Sequence, residues 1–445
     1  MALYNYPVGD IPDELFQLIN LGIRNARDHS VGTPDKIKMT LKQAEKMLPD
    51  DFSRFTACLL GRYKLLTKAD LLVIYLTISN GCADGLIASL QQQFGIPFDV
   101  QKAVGGLTKK TSAKNKLGFA IDDGAFRTMT PSAVNVRIQT QLYDEGLSPF
   151  VALTRHGVKA MTLLAKANGK KLSAKDIQIP TQKSAVQIPK WLHERQVGDL
   201  IAMTIAGASF THGGGYKGLK TSCVVDELLT EVPLKFKHAG SDHYYKPDLG
   251  LTLTYMVASD KGVKKDTIVA WVEHDTTSND KDAIQGKIKN HLLYVQDQEG
   301  KPPYLLLTSS SDERMHQTIE PAVRDALKAV VGMSFVDYTE QVGRIAFASH
   351  NDISLVGMLG KGEVGLWRKW DFKNECFEDK KHTLVSLDRA EKKSATTNSQ
   401  TADNHQSVED IRERKGSSCG LVGYRDSDIE ITPVSAPIGW REEVA

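Results

Sequence analysis

Thr267-Ile268-Val269-Ala270-Trp271-Val272-Glu273-His274-Asp275 reads as a β-strand by its β-branched and aromatic residues. Its apolar run points to burial, yet it ends in two acids. Side chains alternate along a strand, so Glu273 and Asp275 face the same side, about 7 Å apart. Upstream, Lys246-Pro247-Asp248 leads into a second strand, Leu249–Met256, and Lys261-Gly262 makes the turn between the two. Paired as a hairpin, the strands bring Asp248 near the acidic end of its neighbour. A bend or bulge there gathers three carboxylates, which repel one another unless a cation sits among them. Oxygen ligands of this kind suit Mg²⁺ or Mn²⁺. Such an ion activates water and stabilises a leaving oxygen in phosphodiester cleavage.

The residues after the acids extend the pattern. Asp280 to about Gln296 has a helical stripe of Ile284, Ile288, Leu292 and Val295, and Lys287 borders that stripe. From there it can reach back over the strand end to hold a phosphate or polarise water. Tyr304–Ser309 is a third strand, followed by Asp312-Glu313-Arg314 opening another helix. Strand, helix and strand at this length form a parallel crossover. His212-Gly213-Gly214-Gly215 and Gly357–Gly365 lack the Lys-Ser/Thr of a phosphate-binding P-loop and read as loops. Tyr244 and Tyr245, just before the Pro-Asp, are candidate nucleophiles.

The rest of the chain is divided by composition. The net charge of +2 over 445 residues hides eighteen Lys/Arg against eight Asp/Glu between Gly61 and Lys190, a local +10. A basic segment on a near-neutral chain suits a polyanionic partner. Residues 1–60 read as helical and 61–169 as a basic helical region. Residues 170–190 read as a linker, 191–385 as an α/β domain, and 386–445 as a largely disordered tail. No apolar run approaches membrane-spanning length and the N-terminus lacks a secretory pattern. The five scattered cysteines fit reduced thiols, so a cytoplasmic location is expected.

Within 61–169, Thr67 caps a helix through Leu71, Leu72 and Tyr75, and Asn80-Gly81 marks a turn. A lysine-rich stretch from Gly105 to Lys116 offers Lys109 and Lys110 as DNA contacts. A helix from Thr130-Pro131-Ser132 to Glu145-Gly146-Leu147 is followed by a short strand and Leu153-Thr154-Arg155-His156-Gly157 opening another helix. This order resembles the second half of winged-helix domains. The resemblance implies that Arg137, Gln139 and Gln141 face the major groove, where Arg and Gln bond base edges.

Pro-Asp, then Glu-x-Asp at a strand end, then a lysine on the next helix resembles the PD-(D/E)xK nuclease fold. The whole layout resembles the replication-relaxation proteins and the related MOBC-type conjugative relaxases, over roughly Leu65 to Arg314. The resemblance implies an α/β multidomain protein with a winged-helix-like region before a restriction-endonuclease-like domain. It implies metal ligation by Asp248, Glu273 and Asp275, and catalysis by Lys287 with Glu273. It also implies nicking at a DNA transfer origin, with other relaxosome proteins and a coupling protein as partners. Asp275 stands where the motif usually has its lysine. Tyrosine relaxases use a His-hydrophobe-His metal site, and none of the twelve histidines forms a His-x-His pair. An inactive nuclease-fold accessory protein and a winged-helix transcription regulator are the competing readings.

Overall fold

Thr40, Asp50 and Thr67 each accept a backbone N–H from the first turn that follows, and each starts a helix. The helices are α1 (Leu41–Met47), α2 (Asp51–Tyr63) and α3 (Lys68–Thr77), with β1 (Leu66–Thr67) between the last two. They belong to a computed structural model that describes residues 34–105, 124–129, 150–178, 188–212, 221–231, 233–259, 262–275, 280–296, 302–309, 311–330, 344–360 and 364–388. Next come α4 (Asp84–Phe94), β2 (Phe126–Met129), β3 (Phe150–Leu153) and α5 (Arg155–Ala167). The three strands form an antiparallel sheet in the order β1-β3-β2. Arg137, Gln139, Gln141, Lys109 and Lys110 lie outside the described residues, as does the tail from 389 onward.

The Leu-Thr-x-x-Gly segment has a clear local logic. Thr154 caps α5 by accepting from Gly157 N, and its hydroxyl donates to Gly124 O. Gly157 lies so close to the β2 entry that an added Cβ would stand 2.3 Å from Ala125 O. Gly157→Ala must therefore push the two backbones apart. We expect it to lower unfolding free energy by about 1–3 kcal/mol, the usual cost of overpacking, measured by urea denaturation.

The second half begins with α6 (Ile188–His212) and β4 (Thr221–Thr230). A separate hairpin, β5 (Leu234–His238) and β6 (Ser241–Tyr245), precedes β7 (Leu249–Ser259) and β8 (Gly262–Asp275). Then follow α7 (Lys281–Gln296), β9 (Tyr304–Ser309), α8 (Glu320–Val330), β10 (Ile345–Ser349), α9 (His350–Val356), β11 (Trp367–Asp371) and β12 (Cys376–His382). One mixed seven-stranded sheet runs β12-β11-β10-β9-β8-β7-β4. β7 runs antiparallel to both β4 and β8, whereas β8, β9 and β10 run parallel through the crossovers of α7 and α8. β9 and β10 are buried along their whole length, as expected for parallel strands covered on both faces.

Helices cover the two faces separately. Ile284, Ile288 and Leu292 of α7 and Val323 of α8 pack on Leu305 and Leu307. The intervening Leu306 points to the other face, where α6 and the N-terminal helices form a second, larger core. This core includes residues on both sides of 170–190, uniting α2, α3 and α4 with β4 and β7. The join includes backbone bonds: Val225 N donates to Cys82 O, beside a bulge in β4 at Asp226. The described residues up to Leu387 fall within one compact unit. Among the described residues no single helix is long and apolar enough to cross a membrane, and Cys58, Cys82 and Cys376 are free thiols.

Candidate active site

Strand register assembles the site. Leu249 lies opposite Val272, so the next step along the hairpin sets Asp248 beside Glu273 without any bulge. The parallel neighbour continues the row, with Glu273 beside Leu307 and Asp275 beside Ser309. Lys287, on the inner edge of α7, reaches back over the strand ends. Its Nζ donates to Asp248 Oδ2 at 3.0 Å and to Glu273 Oε2 at 2.7 Å. Asp248 also accepts from His274 N at 2.8 Å, which fixes the carboxylate against the end of β8.

The opposite face supplies a residue that sequence reading missed. His193 of α6 places Nε2 3.1 Å from Asp248 Oδ1, so a basic group approaches each oxygen of Asp248. The sequence signal is faint: His193, Gln196 and Asp199 recur at every third position of α6, one polar strip on the side that packs against the strand ends. Gln196 accepts from His274 Nε2, and His274 Nδ1 lies 2.7 Å from Thr308 Oγ1. Burial, then the nearby His350 and His193, hold the His274 imidazole well below its usual range, so it stays neutral. Nε2 then carries the proton and Nδ1 accepts from Thr308. His274 thereby locks the carboxyl end of β8 against α6.

Asp275 does not join the cluster. Expected as a third metal ligand, it accepts from Arg314 Nε at 2.7 Å and from Ser309 Oγ at 3.4 Å. Arg314 ends the short helical turn after β9 and precedes a π-helical turn, Met315–Ile319, which leads into α8. The guanidinium therefore stands at the end of the strand neighbouring Asp275 and draws its carboxylate away from Asp248. Glu273 and Asp275 still line one pocket with Lys287, Thr308 and Ile319.

Burial sets unusual protonation energetics. Burial and the Asp248 charge push the Glu273 carboxyl up to about 8, with Lys287 pulling the other way. Burial disfavours charge on Asp248, but His193 and Lys287 outweigh it and hold that carboxyl well below its usual range. Burial opposes the Lys287 charge too, and the two acids more than compensate. Tyr245 is buried, and burial and the facing Glu273 hold its phenol well above the usual range, so it is not a ready phenolate nucleophile. Tyr244 is 51% exposed on the other side of β6.

A hard divalent cation fits two of these groups. Among the described residues no set of three or more His, Cys, Asp or Glu converges. Mg²⁺, however, is commonly held by one or two carboxylates, with waters and substrate phosphate oxygens completing the shell. Asp248 and Glu273 are such a pair, and Glu273 Oε1 is buried without a hydrogen-bond partner. Glu273 must lose its proton to ligate. At pH 7 we expect Mn²⁺ binding to release close to one proton, detectable by calorimetry in buffers of different ionisation enthalpy. The release should fade above about pH 9 and be absent in Glu273→Gln. In chelator the sign is fixed as well: the folded pKa is raised from 4.5 to about 8, so this carboxyl's stabilising contribution is lost as pH rises across that interval.

No family model, curated protein or solved structure matches this chain.

Proposed function

We propose that the chain is a DNA-binding, divalent-metal-dependent nickase, a relaxase acting at the transfer origin of a mobile element. The observation that carries this reading is the register: Asp248 beside Glu273, spanned by Lys287 from the crossover helix. Asp248 and Glu273 hold the cation, Mg²⁺ or Mn²⁺. When bound, its chemistry is Lewis-acid activation at a phosphodiester. Lys287, released from the acids, turns its ammonium to a non-bridging phosphate oxygen, where charge grows in the transition state. His193 orients Asp248 from the opposite face.

Two further features support the reading. An antiparallel strand pair carrying the acids, a helical crossover and a parallel strand support the PD-(D/E)xK reading. Among the described residues, helix, strand, two helices and two strands, with the strands ordered β1-β3-β2, support a winged-helix reading, in the region where the chain carries its excess of lysine and arginine. On this reading the protein works in the cytoplasm with other relaxosome proteins and a coupling protein.

The experiment is incubation of the protein with supercoiled plasmid carrying its own transfer region, followed by mapping of the new ends. One nick, on one strand, in Mg²⁺ or Mn²⁺ is expected. Cleavage of both strands at scattered sites would point to a general nuclease. A second reading, a DNA-binding accessory protein with an inactive nuclease fold, is favoured by Asp275 being held by Arg314. Specific binding without any nick would establish it.

A further inference from the structure

The β5–β6 hairpin takes no part in the main sheet. Its inner face is committed: Leu234, Phe236 and Tyr245 are buried, with Phe236 5.7 Å from the Tyr294 ring and Tyr245 5.6 Å from His291, both on α7. Strand alternation sends the intervening residues outward. Lys235 and Lys237 of β5 are exposed, and Tyr244 of β6 lies directly opposite Lys235. Tyr244 is 51% exposed on this two-stranded ribbon. Across Leu234–Lys246 there are three lysines against one aspartate, Asp242, which pairs in register with Lys237. Lys246 is bound to Glu231 at 3.1 Å and pins the base of the hairpin.

Position gives this face its meaning. The chain leaves β6 through Lys246-Pro247 directly into Asp248, and Tyr245 turns inward to face Glu273 while Tyr244 turns outward. We propose that the outer face of the hairpin is a platform for single-stranded DNA beside the cutting site, with a base stacked on Tyr244 and phosphates on Lys235 and Lys237. The inference rests on the reading of Asp248, Glu273 and Lys287 as a site that cuts DNA. It adds that the strand is held unpaired next to the nick. An exposed ring accepts any base face and lysines follow the backbone, which is the recognition expected for single strands without strong sequence preference. A duplex hides its base faces in the stack and cannot use Tyr244 in this way.

The test is a titration in chelator, so that cutting plays no part, with a short mixed-sequence single strand and the same sequence as a duplex. Tyr244→Ala should weaken single-strand binding about tenfold, the scale of losing one stacked base, and Tyr244→Trp should restore it. Removing Lys235 and Lys237 together should lower the slope of log affinity against log salt by about 0.7 per lysine. In Tyr244→Ala and in the double lysine variant, duplex affinity should change less than single-strand affinity. Wild-type single-strand affinity in Tyr244→Ala, or equal losses for single strand and duplex, overturns the proposal. Its outcome is separate from that of the cutting site: a protein that never nicks yet loses single-strand affinity in Tyr244→Ala keeps the platform and loses only the enzymatic reading.

Discussion

Lys287→Ala is expected to lower the nicking rate by about 10²-fold or more, the usual loss for one preorganised electrostatic contact. It should also change stability in a way that identifies what Lys287 does without metal. Its ammonium lies between Asp248 and Glu273, at 3.0 and 2.7 Å, and removing it leaves two neighbouring buried acids with less countercharge. Breaking a fully buried pair costs about 3–5 kcal/mol and a surface pair about 1 kcal/mol or less. Lys287 is 36% exposed, so about 2–3 kcal/mol in chelator is the reasonable middle. Mn²⁺ should recover that loss, because a cation at a hundred times its dissociation constant stabilises by about 2.7 kcal/mol. Lys289 lies about 200° further round α7 and is exposed, so Lys289→Ala should alter neither quantity. Equal losses from both substitutions would mean a general basic surface rather than a site.

Asp248→Asn and Glu273→Gln should each reduce metal-dependent nicking by at least about 10³-fold, since each removes one of the two carboxylates proposed to hold the cation. DNA affinity should hold or rise slightly, because a negative charge is removed near the phosphates. The two variants should diverge in stability. Glu273 resists ionisation where it sits, so Gln, a neutral mimic, should leave the melting temperature at pH 7 unchanged or higher in chelator. Asp248 is the anion facing both His193 and Lys287, so Asn should lower it. Thermal melts separate these outcomes from simple misfolding.

The hairpin of β7 and β8, helix α7 and the parallel β9 were legible because alternation in β7, unbroken apolar runs in β8 and β9 and a helical stripe in α7 each mark an element. β4 was not. Thr221–Thr230 carries Asp226 and Glu227 at a bulge, which shifts the alternation midway and hides the strand. The β5–β6 hairpin does alternate, as Leu234-Lys235-Phe236-Lys237, but its Ala239-Gly240 turn is a weak signal; both residues have positive φ. In the site, spacing along one strand was readable and contacts between distant elements were not. That separates Lys287, one helical crossover from Glu273, from His193 and Arg314, which reach the acids from elements whose packing no local pattern encodes. Asp275 shows the same limit: alternation fixed its face correctly, while its partner Arg314 came from the turn after β9. The continuous core also bears on experiment. Excising 61–190 would strip buried contacts from β4 and β7, so DNA-binding residues are better tested by point substitution than by truncation.

The most direct measurement of the central claim compares wild type and Glu273→Gln on supercoiled plasmid bearing the transfer region, each in Mg²⁺ and in chelator. Open circles from the wild type in Mg²⁺, and none in the other three lanes, is the result this account expects. Wild type that leaves the plasmid supercoiled in Mg²⁺, or Glu273→Gln that nicks at the wild-type rate, would contradict it.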